Sequence, residues 1–136
     1  MSNNENSDAP YKKKILLVDD DEDFLEITDS NLKSTGKYEV MTSLGAKDII
    51  LKAHNFKPDL ILLDILMPEV DGLHVCEMLN ADSLGKVTPI IILSALVTDA
   101  DKLRAYKLGV VDYLTKPIEK NKLVEKIEKA LQFKIK

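Results

Sequence analysis

A single cysteine, Cys76, stands among 136 residues, so the chain can form no internal disulfide, and a reducing cytoplasm is the expected setting. Basic residues do not outnumber acidic ones. Against 23 Asp and Glu there are 19 Lys and Arg, a net charge of −4, so no global basic field points to direct nucleic acid binding. No apolar run approaches the roughly 20 residues that a membrane-spanning helix requires. Residues 1–9 are polar and acidic, with no apolar segment of the secretory kind. Nor is the composition that of a disordered chain: it is 45% hydrophobic and 31% charged, at a length suited to one domain with a real core.

What the chain does have is a regular alternation of apolar patterns. The runs Ile15–Val18, Leu60–Leu63 and Ile90–Leu93 are continuously aliphatic, as strands buried on both faces are. Two other stretches, 38–42 and 110–114, mix apolar with polar residues and suit the edges of a sheet. Between and after the strands lie helical stripes. Phe24, Leu25, Thr28 and Leu32 form the first, with Glu22 and Asp23 in its opening turn and Gly36 as its stop. Ala46, Ile49, Ile50 and Ala53 mark the second, closed by Pro58, and Val75, Cys76 and Leu79 mark the third. A fourth helix is expected from about Ala100 to Leu108, capped by Thr98 or Asp99, and its apolar face is poorly defined. The fifth has the clearest stripe: Leu123, Val124, Ile127, Ala130 and Leu131.

Strand and helix thus alternate five times, which predicts an α/β fold: a parallel five-stranded sheet covered by helices on both faces. With uniform runs central and mixed runs at the edges, the strand order is 2-1-3-4-5, a flavodoxin-like doubly wound (βα)5 arrangement with right-handed crossovers. The expected domain spans residues 12–136, preceded by a flexible tail over residues 1–11. No second domain is expected beyond about Phe133.

In this topology ligands bind at the carboxyl ends of the strands. The first strand ends in Asp19 and Asp20, the third in Asp64, the fourth in Ser94 and the fifth in Lys116. Pro68 and Gly72 prevent the third strand from running far past Asp64. Carboxylates gathered there repel one another, and a hard cation such as Mg²⁺ with oxygen ligands resolves the repulsion. A lysine supplies a point charge for an anion, and a serine supplies a hydroxyl. The set suits a phosphoryl group arriving on Asp64, since carboxylates form aspartyl phosphates.

At these residues the chain resembles the receiver domain of two-component response regulators, with its chemotaxis-regulator-like fold. The matching pieces are Leu17-Val18-Asp19-Asp20-Asp21, the stretch from Leu63 to Gly72, Ser94-Ala95, and Asp112-Tyr113-Leu114-Thr115-Lys116-Pro117. Together they cover roughly Lys13 to Phe133. The resemblance implies that Asp64 is the phosphoacceptor, receiving its group from a sensor histidine kinase or a histidine phosphotransfer protein. It implies Mg²⁺ ligation by Asp20 directly, by Asp19 through water, by Asp64 and by the Leu66 backbone carbonyl. Ser94 would hydrogen-bond the phosphoryl oxygens, Lys116 would pair with Asp64 and then with the phosphate, and the Lys116-Pro117 peptide is commonly cis in the family. Tyr113 holds the aromatic switch position: as Ser94 moves to the phosphate, Tyr113 turns inward and alters the surface of helix 4, strand 5 and helix 5. That surface would serve a downstream protein target or an output domain absent from this chain, and it allows a homodimer. The chain departs from better-known members at Leu66 and Leu96, positions that border the phosphate and are often polar. Two leucines can orient no attacking water, so slow self-dephosphorylation is expected.

Other readings of the same residues are weaker. Asp19, Asp21 and Asp23 mimic the start of an EF-hand loop, but Phe24 and Ser30 stand where that loop needs Gly and Glu. A phosphatase of the haloacid dehalogenase type wants a second Asp two residues after Asp64, where Leu66 stands. No loop offers the Gly- and Ser/Thr-rich cradle a flavin phosphate needs. His54 and His74 have no ligand-spaced partners and read as surface or boundary residues, and Cys76 reads as a small core residue. A receiver-shaped interaction module that is never phosphorylated is the alternative from another class.

Overall fold

The structure, a computed structural model, describes residues 11–67, 70–95 and 98–132. The expected tail, Leu96 and the boundary at Phe133 fall wholly or largely outside them. Five strands form the main sheet: β1 (Lys13–Asp19), β2 (Tyr38–Leu44), β3 (Leu60–Leu63), β4 (Ile90–Ser94) and β5 (Asp112–Thr115). They are all parallel, in the order β2-β1-β3-β4-β5. The predicted order is the one found. The central strands sit where their sequences require: Ile15 to Leu17 and Leu60 to Leu63 are wholly buried, and each such aliphatic contributes about 1.5–3 kcal/mol.

The helices are α1 (Glu22–Lys33), α2 (Ile49–Phe56), α3 (Gly72–Ala81), α4 (Asp99–Lys107) and α5 (Lys120–Leu131). The pleat of the sheet sorts them onto two layers. Leu16, Val18, Ile61, Leu63, Ile90 and Ile92 face α2, α3 and α4, while Ile15, Leu17, Leu60, Leu62, Ile91 and Leu93 face α1 and α5. Tyr113 belongs to the first layer and its neighbour Leu114 to the second.

Local chemistry sets the helix starts near the carboxyl edge. Asp21 caps α1, its carboxylate accepting from the Phe24 amide at 3.2 Å. Asp71 caps α3 through Leu73 N (3.0 Å), Thr98 caps α4 through Asp101 N (3.0 Å), and Glu119 caps α5 through Lys122 N (3.0 Å). Helix α2 lacks such a cap and begins at Ile49, so Ala46, read into its stripe, lies in the preceding turn. Likewise Val110 and Val111 precede β5 instead of opening it. Only Ala105 of α4 is buried, as its sequence foreshadows, whereas α5 buries Leu123, Ile127 and Ala130.

A short 3-10 turn at Gly85–Val87 and a two-stranded ladder have no counterpart in the sequence reading. Leu66–Met67 pairs antiparallel with Val70–Asp71, Leu66 opposite Asp71, in a small ladder between β3 and α3. Gly72 makes it fit. A Cβ at that position would lie 2.2 Å from the Ile65 Cα, so only glycine lets α3 begin against the residue that follows Asp64.

Candidate functional site

Parallel pairing brings the strand ends together. Val18 of β1 is opposite Leu63 of β3, and the Asp64 amide donates to the Val18 carbonyl at 3.0 Å, so Asp64 leaves the sheet beside Asp19. On the far side Lys116 is tied to β4, its amide donating to the Ser94 carbonyl at 2.8 Å. Asp19, Asp64 and Ser94 are all buried, while Asp20 is exposed at the rim. Carboxylate oxygens of Asp19, Asp20 and Asp64 lie within 4.8 Å of one another. Asp21, third in the acidic run, caps α1 as described and is absent from this group.

Lys116 is the counter-charge, though its closer partner is not the expected one. Its Nζ lies 2.7 Å from Asp19 Oδ2 and 3.5 Å from Asp64 Oδ2. Asp64 spends its other oxygen on the backbone, accepting from Leu66 N at 2.9 Å. Asp19 does likewise with Asp21 N at 3.0 Å. Burial pushes the Asp64 carboxyl up to about 6, with the neighbouring Asp19 adding to the rise and the Leu66 amide and Lys116 opposing it. The Lys116-Pro117 peptide is cis.

Three carboxylates against one ammonium leave the cluster short of positive charge, two of the three acids are buried, and every donor is a hard oxygen. This composition fits a hard divalent cation such as Mg²⁺.

Tyr113 is packed inward on the α4 side of the sheet, and its hydroxyl has no hydrogen-bond partner among the described residues. Burial, with Asp101, Cys76 and Asp64 contributing charge repulsion, raises its phenol to about 12. Leu66 is half-exposed at the mouth of the site. His54 and His74 lie elsewhere: His54 Nε2 meets the Asp82 carboxylate at 2.9 Å, and His74 Nδ1 meets Glu77 at 3.2 Å. The Asp82 carboxyl is held below its usual range chiefly by the Gly85 amide and then by His54. Cys76 is fully buried, and burial drives its thiol up to about 12, as befits a packing residue.

Two contributors escaped the sequence reading. Phe24 reads as part of the α1 stripe, yet its ring lies beneath the Lys116 ammonium, 3.9 Å from Nζ to the ring centre. Asp71 caps α3 and also meets Arg104 of α4 at 3.7 Å, linking the loop after Asp64 to that helix. Nothing in local spacing signals either contact, because each joins elements distant in the chain.

A doubly wound sheet with buried acids, a lysine and a serine at its carboxyl edge defines the class of small α/β domains that handle phosphoryl groups. The chain belongs to one family of that class, the response regulator receiver domain, whose model matches residues 15–128. It is 37% identical over 120 residues to the alkaline phosphatase synthesis transcriptional regulatory protein PhoP of Bacillus subtilis (strain 168), an alignment covering 88% of this chain and 49% of that protein. The chain spans about half the length of that relative, or less of others such as the Caulobacter vibrioides response regulator PleD (33% identical, 90% of this chain, 27% of that protein). Among solved structures, Vibrio cholerae chemotaxis protein CheY4 is similar at a TM-score of 0.83 with 26% identity, covering 88% of this chain and 99% of that one. The receiver domain of the Pseudomonas aeruginosa PAO1 sensor histidine kinase PA1611, solved with a magnesium ion in its active site cleft, is similar at 0.80 with 27% identity, covering 90% and 100%. Receiver domains are signalling domains, the phosphoacceptors of two-component systems. No helix among the described residues is long and apolar enough to cross a membrane.

Proposed function

We propose that Asp64 is the phosphoacceptor of this receiver domain, taking its group from a phosphohistidine on a sensor kinase or phosphotransfer partner. The observation that carries this is the meeting of Asp64, Asp19, Asp20 and Lys116 at the carboxyl edge of the sheet. An Asp64 carboxylate oxygen forms the new bond to phosphorus while the P–N bond of the donor breaks and its electron pair returns to the imidazole. Lys116 stands within reach of the oxygens that become anionic in the transfer. Asp19, Asp20, Asp64 and the Leu66 carbonyl would hold Mg²⁺, which when bound neutralises charge on the transferring group. Hydrolysis by water at phosphorus later restores the carboxylate and releases phosphate. The domain receives and relays a signal and has no independent substrate turnover.

Added charge beside Ser94 and Lys116 gives the phosphorylated state contacts that the free state lacks, which shifts a population of conformers. Ser94 and Tyr113 report the change to the face made by α4, β5 and α5, which meets a downstream protein or output domain or a second copy of the chain. The weak burial of α4, of whose residues only Ala105 is buried, supports this assignment. We assign residues 12–136 to the domain and 1–11 to a tail, and place the protein in the cytoplasm, without direct contact to nucleic acid or membrane.

Incubation with Mg²⁺ and acetyl phosphate tests the acceptor. A one-phosphoryl mass gain in the wild type that is absent from Asp64→Asn is expected. No gain in either would leave a receiver-shaped interaction module that is never phosphorylated. The half-exposed Leu66, whose backbone binds Asp64, offers no group to orient water. The phosphorylated wild type should therefore outlive the Leu66→Asn/Leu96→Glu variant, and equal lifetimes would sink that expectation.

A further inference from the structure

Lys116 occupies an unsettled position. Its ammonium is 0.8 Å nearer to Asp19 than to Asp64 (3.5 − 2.7), and its side chain is only 16% exposed. A long, flexible side chain between two carboxylates follows whichever is more negative. If Asp19 gives up its charge to a bound cation, the nearest partner of Lys116 weakens, and the longer contact to Asp64, at 3.5 Å, is the ionic one left to hold the ammonium until a phosphoryl group is present.

The Phe24 ring supplies a contact that does not depend on that charge balance. It faces the ammonium at 3.9 Å, well inside the range of about 6 Å over which a cation is drawn to an aromatic face. The ring is half-buried, stands in the first turn of α1, and is anchored there by the Asp21 cap on its own amide. It also forms, with Ile27, Pro117 and Ile118, the wall of a cleft of about 460 Å³ that reaches Lys116. Water that would solvate the ammonium on this side is replaced by a π face. An aliphatic side chain would fill the α1 stripe equally well and would not attract a cation. A second pair, Lys14 over Phe56 at 5.6 Å, is looser, and its residues belong to β1 and α2 outside the acid cluster.

We infer that Phe24 is a positioning residue for phosphoryl transfer, holding the Lys116 ammonium beside Asp64 through its ring face whatever the charge on Asp19. The inference rests on the reading of Asp64 as acceptor, and it concerns the rate of transfer, not its occurrence.

The test uses the full chain with Phe24 replaced by mono-, di- and trifluorophenylalanine, which keep the ring's shape and progressively weaken its negative face. Phe24→Leu, Phe24→Tyr and Phe56→Leu complete the set, with circular dichroism as the check on folding. Phosphorylation by acetyl phosphate and Mg²⁺ should slow stepwise with fluorination and by about three- to tenfold in Phe24→Leu. Phe24→Tyr and Phe56→Leu should stay within about twofold of wild type. In the unphosphorylated protein, the NMR signals of the Lys116 ε-methylene should be displaced upfield by the ring in the wild type and return to ordinary values in Phe24→Leu. A rate that drops in Phe24→Leu but ignores fluorination makes Phe24 a packing residue and overturns the inference, as do unchanged rates throughout. Absence of any phosphorylation in the wild type overturns the acceptor reading instead; the positioning then stands or falls on the Lys116 signals, which need no phosphate.

Discussion

The middle of each central strand and the residue at its carboxyl end lie a few ångströms apart and obey opposite rules. Leu62 and Leu63 of β3 are wholly buried among aliphatics, where each methylene removed from water stabilises the fold. One residue on, Asp64 is 4% exposed and carries a carboxyl whose charge that burial opposes. The same contrast runs from Val18 to Asp19. The sheet therefore gathers stability along its strands and gives some of it up at their carboxyl ends, in exchange for a cluster of groups that water would otherwise disperse.

Three measurements sharpen or break that contrast. The largest effect belongs to the strand interior. Leu62→Ala should lose about 2–5 kcal/mol in urea unfolding, because the close-packed layer against α1 and α5 cannot collapse around the gap. A loss under about 1 kcal/mol would show the core to be looser than its burial indicates.

The second effect has the opposite sign. With the folded-state carboxyl of Asp64 near 6 and the unfolded one near its ordinary value of 3.8, the folded protein binds this proton more tightly, so this residue's contribution to stability falls as pH rises through that window. Below about pH 4 both states are protonated and the penalty is absent. Asp64→Asn, measured with a chelator present, should thus be more stable than wild type by about 1–2 kcal/mol above pH 6, after allowance for screening by water. The gain should fade toward pH 4. A gain that did not vary with pH would mean that the charge of Asp64 is not its source.

The smallest effect is at Tyr113, which shares a buried layer with Ile92 but ends in a hydroxyl with no partner among the described residues. Removing a buried polar group that makes no hydrogen bond is nearly neutral or stabilising. Tyr113→Phe should lie within about 0.5 kcal/mol of wild type or above it. A loss of more than about 1 kcal/mol would reveal a hydrogen bond to that hydroxyl.

Much of this arrangement could be read in advance, for identifiable reasons. Ile15–Val18, Leu60–Leu63 and Ile90–Leu93 are too uniformly apolar for anything but central strands, and the α5 stripe from Leu123 to Leu131 is periodic enough to orient its helix. Asp19, Asp64 and Ser94 stand directly after apolar runs and Lys116 directly after the mixed edge strand, so strand topology alone assembles them. The ladder Leu66–Met67 with Val70–Asp71 was not legible, because two-residue strands leave no periodicity. Nor was the role of Gly72, read as punctuation, whose necessity comes from the approach of Ile65 across the loop. His54 gave no sign of its partner Asp82, which is 28 residues away.

By itself, then, the order of residues determined which segments become strands, which faces of the helices are apolar, and which acids, lysine and serine end up at strand ends. These are local properties, set by the two-residue period of a strand and the 3.6-residue turn of a helix. Only the tertiary structure decided that Lys116 leans on Asp19 more closely than on Asp64, that Phe24 turns its ring to that ammonium, and that Asp21 caps a helix. Those outcomes depend on differences of less than an ångström in the distances between groups from different elements. Such distances arise from packing the whole sheet and both helix layers at once, and no stretch of the chain encodes them alone.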